Sequence, residues 1–352
     1  MTPARLLGIG RAVPPNVLPQ DEARDWARSH FSDRYPAFER MAPVFANSGI
    51  RERQLAMPLE WYFQPQDWVT RTIAYRAVAS ALFVDAARDA IAAAGLSPDM
   101  IDMVVTVSST GVATPSIEAL VHDELGLRAD VVRVPVFGLG CAGGVSGLAL
   151  AARLAASQPG ARVLFVAVEL CSLSFRDDLA NKANIVATAL FGDGAAAAVL
   201  CTQGPAKVAV RAASEHLWPG TLDVMGWDVA PQGLGVIFAQ SIPSLVTRQL
   251  RPALESLLDR METSMAQIGR YVCHPGGAKV VTALEDSMDL DPGTLDAERA
   301  VLADHGNMSA PTVMFVLQRV LADAAMPKRD MLMLALGPGF TLSGALLEPV
   351  AP

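Results

Sequence analysis

The sequence has few cysteines, no metal-binding spacing and none of the common nucleotide motifs. Four of its 352 residues are cysteine, and no two of them form a CxxC pair. This argues against a disulfide framework and against a cysteine zinc site. The five histidines also lack the spacing of metal ligands. No Walker motif, no GxSxG motif and no dinucleotide-binding glycine motif after a strand is present, so nothing supports those chemistries.

Charged residues are also scarce, at 18% of the chain against 51% hydrophobic residues. This balance excludes a disordered chain and favours a large core, with part of the surface covered in an oligomer. The net charge of −8 argues against nucleic-acid binding, which needs clustered Lys and Arg. The best candidate for a membrane segment, residues 185–200, is interrupted by Gly192, Asp193 and Gly194. Since no signal peptide is recognisable, we expect a cytoplasmic protein without stable membrane insertion.

The chain consists of two similar halves. Ser108, after a predicted strand, precedes Cys141 by 33 residues, and His274, after another predicted strand, precedes Asn307 by 33 residues. Repeated short apolar strands alternate with helices in both halves. The repeat predicts a layered α/β fold built from a duplicated unit.

The predicted boundary between the two halves lies within residues 203–213. We expect an N-terminal half of residues 1–205 and a C-terminal half of residues 206–352, and an irregular segment over the first ~65 residues. The predicted strands are residues 101–107, 131–136, 163–168, 195–201, 271–273, 331–336 and 340–347. The predicted helices are residues 68–94 and 242–261, and two more that follow turns. One follows the turn at 140–144 and ends near 156, and the other follows the turn at 306–307 and ends near 325.

Three polar residues lie at turns where chemistry is expected. Cys141 stands in GLGCAGG, where glycines let a substrate approach the sulfur and a helix N-terminus favours the thiolate. A small buried cysteine is the alternative. His274 ends a strand in YVCHPGG, either as the partner of a thiolate or as a structural side chain. Asn307, in DHGNMSAP at a helix start, is either an N-cap or a donor to an oxyanion.

Together these motifs resemble the type III polyketide synthases, the chalcone and stilbene synthase family. The resemblance covers residues 7–347 and predicts a thiolase-like αβαβα fold of two duplicated halves and a homodimer. HPGG and GPGF separate it from the related β-ketoacyl-acyl-carrier-protein synthase III enzymes. The segments that carry it are GCAGG around Cys141, FGDGAAA at residues 191–197, HPGG at His274, GNMSAP with Asn307, and GPGF at residues 337–340.

The resemblance also implies roles for the three polar residues. Cys141 is the nucleophile that carries the acyl chain, and His274 is its base. His274 and Asn307 stabilise the enolate that forms when malonyl-CoA loses carbon dioxide. An ion pair with His274 is expected to hold the pKa of the Cys141 thiol below the ~8.5 of free cysteine. The implied substrates are acyl-CoA and malonyl-CoA, with no cofactor and no metal.

Further positions match pocket residues of the family. Phe191 matches a gating phenylalanine, and Val236 stands where plant enzymes carry a second one; Phe238 takes that place if the alignment slips by two. Thr114 matches a residue that reaches into the partner's cavity. The CoA contacts stay unassigned, since no basic residue near 47–53 matches. The other implied pocket residues are Thr110, Glu169, Cys171, Ser174, Ser309, Gly337, Pro338 and Gly339.

The small residues at Val236 and Thr114 favour a long fatty acyl-CoA starter and an alkylpyrone or alkylresorcinol product. Aromatic starters and malonyl-only synthesis are the alternatives. An active-site turn one residue shorter than in plant enzymes indicates a bacterial-type member. A β-ketoacyl synthase III-like enzyme, which condenses once with a carrier protein, and a non-catalytic thiolase-fold protein are the competing hypotheses.

Overall fold

The computed structural model describes residues 2–323 and 328–350. Within them a mixed sheet of nine strands forms the centre, and two small two-stranded sheets lie outside it. The strands are β1 (Ala4–Ala12), β2 (Asn16–Pro19), β3 (Glu52–Leu55), β4 (Met103–Val107), β5 (Val132–Val136), β6 (Val163–Leu170), β7 (Asp193–Cys201), β8 (Val208–Leu217), β9 (Met225–Ala230), β10 (Gly233–Phe238), β11 (Ile268–Cys273), β12 (Asp330–Gly337) and β13 (Thr341–Pro349). The helices are α1 (Gln20–Phe31), α2 (Phe38–Met41), α3 (Pro43–Ala46), α4 (Trp68–Ala93), α5 (Ile117–Leu120), α6 (His122–Leu125), α7 (Gly143–Ser157), α8 (Lys182–Leu190), α9 (Ile242–Arg260), α10 (Ala278–Ser287), α11 (Asp296–His305) and α12 (Ala310–Ala322).

The large sheet repeats one arrangement in the two halves of the chain. The order of strands across it is β11-β12-β13-β8-β1-β7-β6-β4-β5. From the middle outward, β1, β7, β6 and β4 on one side correspond to β8, β13, β12 and β11 on the other. On both sides the first two neighbouring pairs are antiparallel and the third is parallel. The duplicated α/β fold is therefore confirmed, whereas the boundary at residues 205/206 stays a prediction.

Alternating side chains along the strands produce the layers. In β6, Phe165 packs in the cluster that contains α7 and α12, whereas Leu164 packs against α4. In β12, Met333 packs with α7 and α12, whereas Leu334 packs with α9 and α10. Strands that are apolar on both faces are covered on both faces. The layers have the expected αβαβα order. They are α4, the strands of the first half, α7 with α12, the strands of the second half, and α9 with α10.

The first ~65 residues are not irregular, contrary to the sequence prediction. β1 lies in the middle of the large sheet, and α1 packs with α8 in a separate cluster. Glycines conceal β1 in the sequence because they interrupt its apolar alternation. Gly10 is needed there, since a Cβ atom would lie 2.2 Å from the carbonyl oxygen of Ala86 in α4. Glycine thus lets the helix approach the strand closely.

Several element boundaries differ from the sequence prediction. β7 begins at Asp193, within residues expected to form a turn, and β8 begins at Val208, within the predicted boundary between the halves. The helix expected to open at Asn307 begins at Ala310, and its predicted end at Ala325 lies outside the described residues. The hairpin β9–β10 and helices α8, α10 and α11 have no counterpart in the prediction. The predicted elements at 68–94, 101–107, 131–136, 163–168 and 242–261 are confirmed to within two residues at each end.

Candidate active site

Cys141 lies at the turn that leads from β5 into α7. Residues 140–142 form one 3-10 turn, and α7 continues directly from Gly143. The sulfur is therefore next to a helix N-terminus, as the sequence predicted. At Gly144 a Cβ atom would lie 2.2 Å from the carbonyl oxygen of Ala310. Glycine thus lets the start of α12 approach the start of α7, and this brings the segment that carries Asn307 to the thiol.

His274 follows the last residue of β11, as predicted. Its backbone N–H donates to the carbonyl oxygen of Leu334 in β12 at 2.8 Å, which extends the strand pairing by one residue. The side chain is 4% exposed. Neither ring nitrogen has a hydrogen-bond partner among the described residues. A buried imidazole without a partner is uncommon, and it leaves both nitrogens available to a substrate.

Asn307 is not an N-cap, because α12 begins three residues later. Its backbone bridges to Phe191, and its Nδ2 donates to the carbonyl oxygen of Gly276 at 3.1 Å. Its Oδ1 accepts from the backbone N–H of Ser309 at 2.8 Å, and the Cys141 thiol donates to the same oxygen with an S···O distance of 4.0 Å. These contacts fix the orientation of the amide. The second hydrogen on Nδ2 remains for a substrate oxygen.

The three residues line one apolar cavity, here called the catalytic cavity. It has about 700 Å³ of space, counting the space open to solvent at its mouth. The hairpin β9–β10 forms one wall, and the end of β12 with Pro338 forms another. The lining residues are Gly140, Cys141, Cys171, Phe191, Met225, Gly226, Trp227, Val236, Ile237, Phe238, Ile242, His274, Gly276, Val280, Asn307, Ser309, Leu336 and Pro338.

Burial favours the neutral forms of both Cys141 and His274. Burial raises the pKa of the Cys141 thiol to about 11, against smaller opposing effects of hydrogen bonds with Ser309 and Asn307. Burial also lowers the pKa of His274 to about 4. Desolvation disfavours the charged form of both groups. In the substrate-free enzyme burial therefore opposes the thiolate expected from the sequence, and the ion pair with His274 stays a prediction.

Trp227 is a cavity residue that the sequence reasoning missed. It lies opposite Val236 in the β9–β10 pairing, and its ring meets the ring of Phe191 edge-on at a centroid distance of 6.2 Å. Phe238, the alternative to Val236, lines the same cavity. The small Val236 is thus paired with a large aromatic neighbour. The only signal in the sequence was an aromatic residue nine positions before Val236, which becomes informative once the hairpin register is known.

The other implied pocket residues divide into two groups. Cys171, Ser309 and Pro338 line the catalytic cavity, together with Phe191 and Val236. The rest of the set does not line it in the described chain: Thr110, Thr114, Glu169, Ser174, Gly337 and Gly339.

Glu169 and Thr110 lie behind the catalytic cavity rather than in its lining. The Thr110 hydroxyl donates to Glu169 Oε2 at 2.7 Å, and the backbone N–H of Ser109 donates to the same oxygen at 2.9 Å. Glu169 is fully buried, and burial raises its pKa to about 7. Thr114 is exposed at the surface of the single chain. Its implied reach into a second subunit stays a prediction.

Two family models match nearly the whole chain. The model of the N-terminal domain of chalcone and stilbene synthases matches residues 1–205, and the model of their C-terminal domain matches residues 209–351. The chain belongs to the chalcone and stilbene synthase family. It is therefore a type III polyketide synthase, an enzyme of the acyltransferase type, with a thiolase-like fold.

Individual relatives agree with this assignment. A 1,3,6,8-tetrahydroxynaphthalene synthase of Streptomyces peucetius subsp. caesius is 39% identical over 311 residues, which cover 87% of this chain and 82% of the relative. The crystal structure of 1,3,6,8-tetrahydroxynaphthalene synthase from Streptomyces coelicolor A3(2), a bacterial type III polyketide synthase, superposes with a TM-score of 0.94 at 27% identity, covering 99% of this chain and 100% of that one. The structure of CsyB complexed with CoA-SH has a TM-score of 0.90 at 26% identity, with 99% and 100% coverage.

A second cavity of this type III polyketide synthase adjoins the first. It has about 460 Å³ of space, again counting space open to solvent. Cys171 and Phe191 line both cavities and so form the partition between them. The other lining residues are Leu18, Trp26, Arg53, Leu55, Leu59, Tyr62, Ser172, Ser174, Phe175, Asn184, Ala187 and Thr188.

A basic groove leads from the catalytic cavity to the surface. The two share Phe238, Ile242, Gly276 and Val280 as lining residues. The cationic side chains of the groove are Arg40, Lys182 and Lys279. They lie on three separate segments of the chain and outside residues 47–53, so the sequence alone did not indicate them.

The described residues contain neither a metal-site cluster nor a membrane-spanning helix. No cluster of three or more His, Cys, Asp or Glu side chains with the geometry of a metal site is present among them. No helix within residues 2–323 and 328–350 is long and apolar enough to cross a membrane.

Proposed function

We propose that Cys141, His274 and Asn307 catalyse the iterative condensation of malonyl-CoA onto an acyl chain held on Cys141. The observation that carries the proposal is the meeting of a thiol, an unpartnered imidazole and an oriented amide in one apolar cavity. In the first step the Cys141 sulfur attacks the acyl-CoA thioester, and neutral His274 takes the thiol proton. The acyl group stays on the sulfur, and CoA leaves as a thiol with that proton.

In the second step malonyl-CoA loses carbon dioxide, and negative charge moves onto its thioester oxygen. An N–H of His274 and the free hydrogen of Asn307 Nδ2 are the donors that stabilise this enolate. The enolate carbon attacks the acyl carbonyl, the bond to Cys141 breaks, and the departing sulfur takes up one proton from the solvent. The chain is now two carbons longer and carried by CoA, ready to return to Cys141.

The basic groove is the proposed CoA site. Arg40, Lys182 and Lys279 supply positive charge at the mouth, and the shared residues lead inward to His274 and Asn307. Cations placed this way suit the phosphates of CoA. The similarity to CsyB, whose structure contains CoA-SH, supports the same ligand here. No cofactor beyond the CoA thioesters is proposed.

We propose a long-chain fatty acyl-CoA as the starter and an alkylpyrone or alkylresorcinol as the product. The support is the second cavity, whose lining is rich in Leu and aromatic side chains and which is separated from the thiol's cavity only by Cys171 and Phe191. An acyl tail that passes this partition gains on the order of 0.8 kcal/mol for each buried CH₂. Reactivity should therefore rise with starter length until the second cavity is full.

Malonyl-only synthesis is the second candidate. Relatives named 1,3,6,8-tetrahydroxynaphthalene synthase favour it, one of them at 39% identity. One experiment separates the two candidates: purified protein, without carrier protein, receives malonyl-CoA alone or with a series of acyl-CoAs. Products that contain the long acyl group, formed faster with longer starters, support the first candidate. A polyhydroxynaphthalene from malonyl-CoA alone, unaffected by acyl-CoA, supports the second.

We also propose that the enzyme is a cytoplasmic homodimer joined along β5. This strand is at one end of the large sheet, so its outer edge has no neighbour in the described chain. Val132 is 51% exposed and Phe137 is 61% exposed, and Val112, near Thr114, is 52% exposed. An apolar edge strand invites pairing with a second chain. This arrangement would also bring Thr114 toward the second copy.

A further inference from the structure

The hairpin β9–β10 forms a wall of the catalytic cavity but does not belong to the large sheet. Its two strands pair only with each other, from Ala230 with Gly233 to Met225 with Phe238. Trp227 and Val236, which face the cavity, lie three residues from its tip on the two strands. A two-stranded hairpin is only marginally stable by itself in water. Contacts elsewhere must therefore hold this wall in place.

Two buried arginines hold the tip of the hairpin. Arg71 of α4 shares its Nε–H between the carbonyl oxygens of Gln232 and Gln66, each at 3.1 Å, and donates from Nη1 to the carbonyl oxygen of Leu173 at 2.5 Å. Gln232 belongs to the tip, and Leu173 belongs to the segment Cys171–Ser174, which forms the partition side of the cavity. One guanidinium thus connects the tip of the hairpin with the segment that carries Cys171. It is 7% exposed.

Arg176 makes a second, independent connection. Its Nη1 donates to the carbonyl oxygen of Gly233 at 3.2 Å, and its Nη2 donates to Gln232 Oε1 at 3.3 Å. Asp178 accepts from Nε and Nη2 at 2.6 Å each and fixes the plane of the guanidinium. The side chain is 4% exposed. Both arginines thus fasten the tip to the residues that follow the Cys171 wall.

We propose that Arg71 and Arg176 are positioning residues that set the separation of the two walls, and so the number of extension steps the cavity accepts. The inference rests on the proposed role of the catalytic cavity in extension. The hydrogen bonds of Arg71 go to the backbone carbonyl oxygens of Gln66, Gln232 and Leu173, so its buried charge is a costly way to add stability alone. The planar guanidinium group of Arg71, however, holds both walls of the cavity at fixed distances from itself. Lysine, a single charged point on a flexible stem, does not do this.

The test replaces each arginine by lysine, as Arg71→Lys and Arg176→Lys, and uses Arg299→Lys as the matched control. Arg299 pairs with Glu285 on α10, away from the hairpin. The readouts are the ratio of products with more and fewer malonyl units, the rate of Cys141 acylation by a short acyl-CoA, and the melting temperature. We expect the looser wall to raise the share of longer products about tenfold, with acylation within about twofold of wild type. The control should keep the wild-type ratio.

An unchanged product ratio in both variants, with a melting temperature lowered as in the control, would overturn the inference. If the arginine variants do not fold, Gln232→Ala takes their place, since this exposed side chain loses only the contact to Arg176. A smaller shift in the same direction supports the inference, and no shift overturns it. A wild-type enzyme that never acylates Cys141 would instead refute the proposed function.

Discussion

At the scale of single residues, the sequence selected three residues that the structure brings to one cavity, but it did not predict their contacts. Glycine-rich turns and strand ends were enough to select Cys141, His274 and Asn307. Whether Asn307 caps a helix could not be predicted, because that depends on Ser309, whose positive φ of 58° delays the start of α12. The charge of the Cys141–His274 pair could not be predicted either, since it depends on burial that involves the whole fold.

The burial of Cys141 predicts how its alkylation depends on pH. With a thiol pKa raised to about 11 by burial, the thiolate fraction grows only in alkaline solution. The rate of inactivation by iodoacetamide in the absence of substrate should therefore rise with pH through an inflection above ~8.5. His274→Ala should show the same profile. An inflection below 8.5 that disappears in His274→Ala would restore the ion pair.

A second residue-scale prediction separates the two half-reactions. Cys141→Ala removes the acyl carrier but leaves both proposed enolate donors, His274 and Asn307, in place. Chain extension should fall by at least about 1000-fold, while malonyl-CoA decarboxylation persists. Carbon dioxide release and product formation are measured in parallel. Extension at the wild-type rate would remove Cys141 from the mechanism.

At the scale of elements, long apolar-periodic segments were predictable and short or glycine-containing ones were not. The helix α4 was recognised to within a residue, but β1 was missed because its glycines serve contact with that helix. The hairpin β9–β10 was missed because its side chains are only partly buried and show no clear apolar alternation. The cavity wall that it forms, including Trp227, could therefore not be predicted from the sequence.

The hairpin carries a prediction about starter length. Val236→Phe adds a ring to the cavity wall opposite Trp227 and should displace about two methylenes of a long acyl chain. At ~0.8 kcal/mol for each, kcat/KM with long starters should fall roughly tenfold, while short starters are spared. The matched control is Val229→Phe on the same hairpin, because Val229 is 72% exposed. Equal losses of kcat/KM on short and long starters, with a lowered melting temperature, would show that Val236 only packs the hairpin. Phenylalanine would then overpack this site and destabilise the fold by ~1–3 kcal/mol.

At the scale of the whole molecule, the 33-residue spacing in the sequence corresponds to a duplication in the structure. It reflects two sheet halves with the same strand order, so that His274 and Asn307 occupy in the second half the positions of Ser108 and Cys141 in the first. The two central helices α7 and α12 then begin side by side. Duplication thus brings Cys141, His274 and Asn307, which are far apart in the chain, to one cavity.

The proposed dimer gives a prediction at this scale. Phe137→Asp places a charge on the apolar end of β5 and should convert the dimer into a monomer, as measured by light scattering after size-exclusion chromatography. Leu222→Asp is the matched control, since Leu222 is 76% exposed on a different surface segment. A monomeric wild-type protein, or a dimer that survives Phe137→Asp, would contradict an interface along β5.

Mass spectrometry of the Cys141 peptide tests the central claim most directly. The purified enzyme is incubated with a long-chain acyl-CoA, without carrier protein, and then with malonyl-CoA. The account predicts an acyl group on Cys141 that is absent from Cys141→Ala, followed by its conversion into products lengthened by two-carbon units. An enzyme that releases extended products while Cys141 stays unmodified throughout would contradict it.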